Sequence, residues 1–283
     1  MGRVVLSWPD LGLSGPQIMA VLNVTPDSFS DGGRLFDSRP HLGHIVDQAA
    51  LSVAEGATIL DIGGESTRPG ADPVSEDEEL SRVVPVVEAL ASRFEAVLSV
   101  DTSTAVVMTE AAQAGARLIN DVRALTRPGA LEAALETGLP VSLMHMQGSP
   151  KTMQDNPTYH DPVAEVKAWL LERAEVCQVA GIKRNQILID PGFGFGKTLA
   201  HNVALFQQMN QLIDTGYPVV VGVSRKSMIG EITGRPLAQR TVGSATAAAM
   251  AAMTGASVLR VHDVAETRDA MAVMRQLTQG MQQ

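Results

Sequence analysis

The stretch VLSVDTSTAVVMTEAAQAGARLIND, residues 97–121, decides the fold. It opens on an apolar run, 97–101, that closes on Asp101. It then passes through a helical stretch to a second run, 117–120, closing on Asn120 and Asp121. A buried parallel strand is a nearly continuous apolar run, and strand alternating with helix means parallel pairing. The same unit recurs on both sides. Runs at 18–23, 58–62, 140–145, 187–190, 218–223 and 257–261 end on Asn23, Asp61, His145, Asp190, Ser224–Arg225–Lys226 and Arg260–Val261–His262. Polar chemistry at the carboxyl end of run after run is the signature of a (β/α)8 TIM barrel, whose site gathers at that face. The competing open doubly wound sheet concentrates its site at one switch point. Polar endings on all the runs favour the closed barrel. The expectation is an α/β chain forming one barrel domain over residues 1–283, with 1–16 as a short N-terminal β-hairpin. Its arms would be 3–6 and 11–13, around Trp8, Pro9 and Asp10.

Helix signals fit between the strands. Ser75-Glu-Asp-Glu78 is a capping-box sequence ahead of Leu80, Val83, Val84, Val87 and Leu90. Asp161 before Pro162 reads as an N-cap with proline at the first helical position. That helix runs to about Ala180, with Gly181 as its stop. Residues 243–256 are rich in Ala, Gly and Met and suit a closely packed helix.

Composition narrows the class. The 283 residues are 45% hydrophobic but only 4% aromatic, so the core is aliphatic. A net charge of −9 argues against general nucleic-acid binding, which wants a basic face. The single Cys177 excludes an intramolecular disulfide framework and fits a reducing compartment; nothing around it marks a nucleophile. No apolar run reaches the roughly 18 residues of a membrane span. Residues 1–15 lack the basic start and apolar stretch of a secretory signal. The expectation is a cytoplasmic protein with no membrane partner.

Several constellations carry chemistry. Asn23-Val-Thr-Pro-Asp-Ser-Phe-Ser-Asp-Gly-Gly33 is long for a strand-to-helix connection and reads as a mobile loop on the site face. In Asp61-Ile-Gly-Gly-Glu-Ser-Thr-Arg-Pro-Gly70, Arg68 suits bidentate phosphate binding. Asp101, Asn120 and Asp190 point into a closed barrel top, where they are costly unless they meet donors. A flat heterocycle with amino and ring N–H groups would supply those donors; a divalent metal or internal hydrogen bonds are the alternatives. Pro191-Gly-Phe-Gly-Phe-Gly-Lys-Thr198 is not a phosphate loop, because Pro191 stands where the first glycine belongs. It reads as a glycine loop with Phe193 and Phe195 as apolar walls and Lys197 as a surface charge. Ser224-Arg-Lys-Ser227 and Arg260-Val-His262 follow the last two strands, the usual phosphate seat of this barrel. A helix starting near Ser227 would add its positive end. His145 reads equally as a site-lining group or a structural hydrogen-bonding one. No nucleophile elbow or Cys/His zinc site is present, so direct transfer between two bound substrates fits best.

Leu22-Asn-Val-Thr-Pro-Asp-Ser-Phe-Ser-Asp-Gly-Gly33 and Asp61-Ile-Gly-Gly-Glu-Ser-Thr-Arg-Pro-Gly70 resemble the two signatures of the dihydropteroate synthase family. The resemblance continues through Ser99-Val-Asp-Thr102, Ile119-Asn-Asp121, Met144-His-Met-Gln-Gly148, Asp190 to Lys197, Ser224-Arg-Lys-Ser227 and Arg260-Val-His-Asp263. It implies a transferase of folate biosynthesis, the target of sulfonamides. Such an enzyme makes 7,8-dihydropteroate and pyrophosphate from 6-hydroxymethyl-7,8-dihydropterin diphosphate and 4-aminobenzoate. It further implies that Asp101, Asn120, Asp190 and Lys226 hydrogen-bond the pterin. Met144, Phe195 and Gly222 would line its pocket, and Arg260 would lie against the ring. Asn23 would coordinate Mg2+, and Asn23, Thr67, Arg68, Arg260 and His262 would hold the diphosphate. Phe29, Thr67, Pro69, Ser224, Arg225 and Lys226 would form the aminobenzoate site. Asp27 and Asp31 lie in the first loop, and Asp31 is the candidate for stabilising a cationic intermediate. The resemblance also implies a homodimer built through late barrel helices. A pterin-dependent methyltransferase module would not need the first-loop signature. A catalytically silent pterin-binding paralogue should have lost Asn23, Lys226 or Arg260, and all are present.

Overall fold

The structure, a computed structural model, describes residues 7–24, 42–66, 74–149 and 151–278. Its strands are β1 (Gln17–Asn23), β2 (Ile59–Gly63), β3 (Val97–Asp101), β4 (Leu118–Asp121), β5 (Val141–Met144), β6 (Ile187–Asp190), β7 (Val220–Val221) and β8 (Val258–Val261). Between and after them run α1 (Leu42–Glu55), α2 (Glu76–Ala91), α3 (Ala105–Ala114), α4 (Ala130–Thr137), α5 (Pro162–Ala180), α6 (Leu199–Gln207), α7 (Asn210–Ile213), α8 (Ser227–Thr233), α9 (Thr241–Thr254) and α10 (Val264–Thr278). The eight-stranded sheet has the order β6-β5-β4-β3-β2-β1-β8-β7, all pairs parallel. Its ends meet at a bridge between Ile189 and Val219, and the Ile189 N–H donates to the Pro218 carbonyl at 2.9 Å. The expected TIM barrel is thus observed, with strand bounds close to those read from the sequence. β7 is the exception. Pro218 has no N–H to give a ladder, and the regular strand shrinks to Val220 and Val221.

Period-two alternation sorts each strand. Met19, Ile59, Val97, Leu118, Leu188, Val220 and Val258 form one apolar cluster at the amino end of the barrel interior. Two positions further along the same faces stand Asp61, Ser99, Asn120, Asp190, Gly222 and Arg260. The alternate residues, such as Leu60, Ile62, Leu98, Val100, Ile119 and Leu259, join the larger cluster under the helices. The interior therefore turns from apolar to polar within two residues, and this switch creates the site.

Leu11, with Trp8 and Leu13 packed beside it, closes the apolar end. This corrects the hairpin expectation. Trp8–Leu11 is a 3-10 turn, and Leu11–Leu13 is not a strand; the 3–6 arm lies outside the described residues. The reason is local. Asp10 Oδ2 accepts from the Ser7 backbone N–H at 2.7 Å and from Ser7 Oγ at 2.6 Å, which curls the chain before any strand can pair.

The helix starts follow the sequence with one adjustment. Asp161 Oδ1 caps α5 through Val163 N at 3.0 Å and Ala164 N at 3.1 Å, and Gly181 stops it at φ 115°. Ser75 Oγ caps α2 through Glu78 N at 3.3 Å. The reciprocal half of that capping box is replaced, because the Glu78 carboxylate pairs forward with Arg82. Cys177 is buried in the outer core, and burial pushes its thiol up to about 11, which makes it a poor nucleophile.

Candidate active site

The polar layer is built around one arginine. Arg260, on β8, donates from Nε to Asp61 Oδ2 at 2.7 Å and from Nη2 to Asp101 Oδ2 at 2.7 Å. Asp61, fully buried on β2, also accepts from Ser99 Oγ at 2.6 Å and from Asn120 Nδ2 at 3.0 Å. Four strands thus converge on Asp61 and Arg260. Two donors from one guanidinium fix its plane. Burial pushes Asp101 above the ordinary carboxylate range, against the pull of Arg260.

The sequence argument required donors for Asp101, Asn120 and Asp190, and the structure meets that need only in part. Asp101 takes Arg260 through one oxygen, Asn120 spends its N–H on Asp61, and Asp190 Oδ1 accepts from Gly192 N at 2.7 Å. The other oxygen of each group has no hydrogen bond among the described residues. None of the three is among the sealed side-chain atoms without a partner, which are Arg82 Nε and Ser142 Oγ. Three acceptors therefore remain open at the carboxyl end of the barrel.

Lys226, the residue before α8, faces them from the other side. Its ammonium donates to the Phe193 carbonyl and lies 4.6 Å above the Phe195 ring. Burial pushes Lys226 down to about 8, with Asp190 pulling the other way. Burial raises Asp190, and Lys226 opposes it. A Cβ at Gly222 would come within 3.8 Å of Lys226 Nζ and 3.7 Å of Arg260 Cβ, so glycine keeps the gap between the two cations open. Met144 is buried at the end of β5.

In the last two loops, the helix start expected near Ser227 is observed, as α8 begins there. Ser224 Oγ bridges to β8, 3.1 Å from His262 Nδ1 and accepting from the His262 backbone N–H at 3.2 Å. Arg225 adopts φ 58° and turns its guanidinium onto Asp263, with Nε 3.0 Å from Oδ2. Asn23 is half-buried at the end of β1, and its side-chain amide has no hydrogen bond among the described residues. Phe29, Asp31, Asp27, Thr67, Arg68 and Pro69 lie outside the described residues.

Two sequence readings change. Lys197 is not a surface charge: it is only 3% exposed. Gly192, Gly194 and Gly196 all take positive φ, 65°, 80° and 60°, and fold the loop so that the ammonium turns inward. It lies 3.0 Å from His145 Nδ1, from the Gly192 carbonyl and from the Phe195 carbonyl. Burial pushes Lys197 down to about 7. His145 is settled as a structural group. Its ring packs edge-on to Trp169 at 5.1 Å, and burial, then the Lys197 charge, push it down to about 3. Asp61 was legible as a strand ending but not as the anchor of the site, because its partners come from β3, β4 and β8. Glu65 was missed as well; it receives Arg123 bidentately, at 2.9 and 3.1 Å, just before the undescribed part of the second loop.

Among the described residues, no group of three or more His, Cys, Asp or Glu could hold a metal ion. No helix is long and apolar enough to cross a membrane.

Known proteins resemble this chain over its length. The family model for pterin binding enzymes matches residues 19–262. The dihydropteroate synthase of Haemophilus influenzae is 55% identical over 263 residues, covering 93% of this chain and 94% of that one. The Yersinia pestis dihydropteroate synthase, solved with a sulfonamide drug complex, superposes with a TM-score of 0.90 at 52% identity, over 98% of this chain and 99% of the other. The Xanthomonas albilineans dihydropteroate synthase in complex with 7,8-dihydropteroate gives 0.82 at 44% identity, over 94% of each chain.

Proposed function

We propose how this site works from one premise: the chain belongs to the dihydropteroate synthases, transferases that join 6-hydroxymethyl-7,8-dihydropterin diphosphate to 4-aminobenzoate. The observation that carries the reading is the facing set of three open acceptors and two cations. The amino and ring N–H groups of the pterin donate to Asp101, Asn120 and Asp190. Lys226 donates to a ring acceptor. Arg260, held flat by Asp61 and Asp101, lies against the ring, with Met144, Phe195 and Gly222 as the walls.

The diphosphate falls to Asn23, Thr67, Arg68, Arg260 and His262. The donor set fits a hard cation carried mainly by the substrate. The amide oxygen of Asn23 is free to ligate, and Mg2+ is commonly held by few protein ligands plus substrate phosphates. When bound, Mg2+ supplies charge neutralisation to the departing pyrophosphate. The bond between the pterin methylene and oxygen breaks, and the pyrophosphate leaves with the electron pair. The pterin ring delocalises the remaining positive charge, which Asp31 helps to stabilise. The amine of 4-aminobenzoate attacks the methylene and loses a proton. Phe29, Thr67, Pro69, Ser224, Arg225 and Lys226 form the aminobenzoate site; for this, Arg225 either keeps Asp263 as its partner or swings from it to the carboxylate. No strong general base is required, because the amine is already nucleophilic.

Purified protein with both substrates and Mg2+ should release dihydropteroate and pyrophosphate in equal amounts, and chelation should stop it. Equal turnover without a divalent cation would remove Asn23 from metal binding; pterin binding with no turnover would identify a silent paralogue. The same premise supports a cytoplasmic homodimer. Val242, Met250 and Met253 on α9 and Val273 on α10 expose apolar surface on helices that pack together. A monomeric mass in solution would contradict the dimer.

A further inference from the structure

We propose that Lys197 is a positioning residue for the pterin pocket, holding the glycine loop so that its Phe193 carbonyl and Phe195 ring meet Lys226. The inference rests on the pterin-pocket reading above.

Each carbonyl from Gly192 to Gly196 accepts a hydrogen bond from a side chain. Lys197 takes Gly192 and Phe195 at 3.0 Å each. Lys226 takes Phe193. Gln154 takes Gly194, and Tyr159 Oη takes Gly196 at 2.9 Å. Two lysines therefore divide the loop. The carbonyls claimed by Lys197 flank the one offered to Lys226, so drawing the first two toward Lys197 leaves Phe193 facing the pocket. Lys197 also ties the loop to the end of β5, through His145 Nδ1 at 3.0 Å and the His145 carbonyl at 3.4 Å. An ammonium donates all its protons, so His145 accepts at Nδ1 and is neutral.

The loop lies against that strand end with no slack. A Cβ on Gly192 would fall 1.9 Å from the His145 carbonyl oxygen, and one on Gly196 would fall 2.6 Å from that of Gln147. Packing alone would be served by an apolar side chain of similar volume, since a buried charge is expensive. Among the described residues Lys197 forms no salt bridge. What the ammonium adds is direction for the Gly192 and Phe195 carbonyls and the His145 ring nitrogen, one for each of its three protons. Its low affinity for a proton at this site, to about 7, accords with such burial.

The test is a double-mutant cycle on pterin affinity, read by fluorescence quenching of 6-hydroxymethylpterin with the full-length protein. Lys197→Met should weaken binding at least about tenfold in the parent, but no more than about threefold in a Lys226→Ala background. A merely structural role lowers the melting temperature without that coupling. Equal losses in both backgrounds, or no loss in the parent, overturn the inference while leaving the pocket intact. Parent-like affinity of Lys226→Ala alone overturns the pocket reading and this inference with it. Should Lys197→Met not fold, Lys197→Gln, which keeps an N–H donor, enters the same cycle: a loss of at least about threefold in the parent that vanishes in the Lys226→Ala background supports the inference, and equal losses in both overturn it.

Discussion

Asp61 touches no substrate in the scheme above, yet it aligns two groups that do. Replacing it by Asn removes the charge facing Arg260, keeps one acceptor oxygen and sets an NH2 either against Ser99 Oγ or against the N–H groups of Asn120 and Arg260. Asp61→Asn should cost roughly 1–3 kcal/mol of stability, the penalty of a buried donor left unmet. It should also lower kcat/KM for the pterin diphosphate at least about tenfold, or ~1.4 kcal/mol. Denaturant melts and steady-state rates check this, and a normal kcat/KM would show that Arg260 keeps its place without Asp61. The strand-ending carboxylates and amides were visible in the sequence because each interrupts an apolar run. The pairing among them was not, since Asp61 and Arg260 are 199 residues apart and only barrel closure joins them. Lys197 misled for a related reason: a lysine in a glycine-rich loop looks solvated until three positive-φ glycines turn it inward.

At the level of the element, the end of β5 and the loop after β6 form one unit through His145 and Lys197. This unit has a pH signature. His145 titrates near 3 when folded and near its ordinary 6.5 when unfolded. Between those values the unfolded chain takes up a proton that the native one refuses. The stability His145 contributes is therefore present above pH 6.5 and is lost as pH falls toward 3. His145→Gln should lose less melting temperature than the parent between pH 6.5 and 4, and parallel curves would show that His145 already protonates in the fold. The strands and the α5 cap were readable because periodicity and capping are local. The N-terminal turn was not, because apolar residues flanking Pro9 suit a hairpin until Ser7 and Asp10 bond each other.

Across the whole molecule, closure is uneven. Between β1 and β2 five residue pairs stand in register, while β6 and β7 meet at a single bridge, Ile189 with Val219. The eight runs told of a ring but not of its weakest joint, because strand length depends on partners that a lone run does not name. That joint lies below Asp190 on one side and Gly222 and Lys226 on the other. A pterin bound to Asp190 and Lys226 would act as a rivet across it. Amide hydrogen exchange at Ile189, which donates across this edge to the Pro218 carbonyl at 2.9 Å, should slow by about tenfold or more once pterin saturates the protein. Exchange at β1 and β2 should change far less, and a uniform slowing would mean that the ring opens as a whole. The substrate would then be the last hoop on the barrel: chemistry and mechanical closure would arrive in the same binding event.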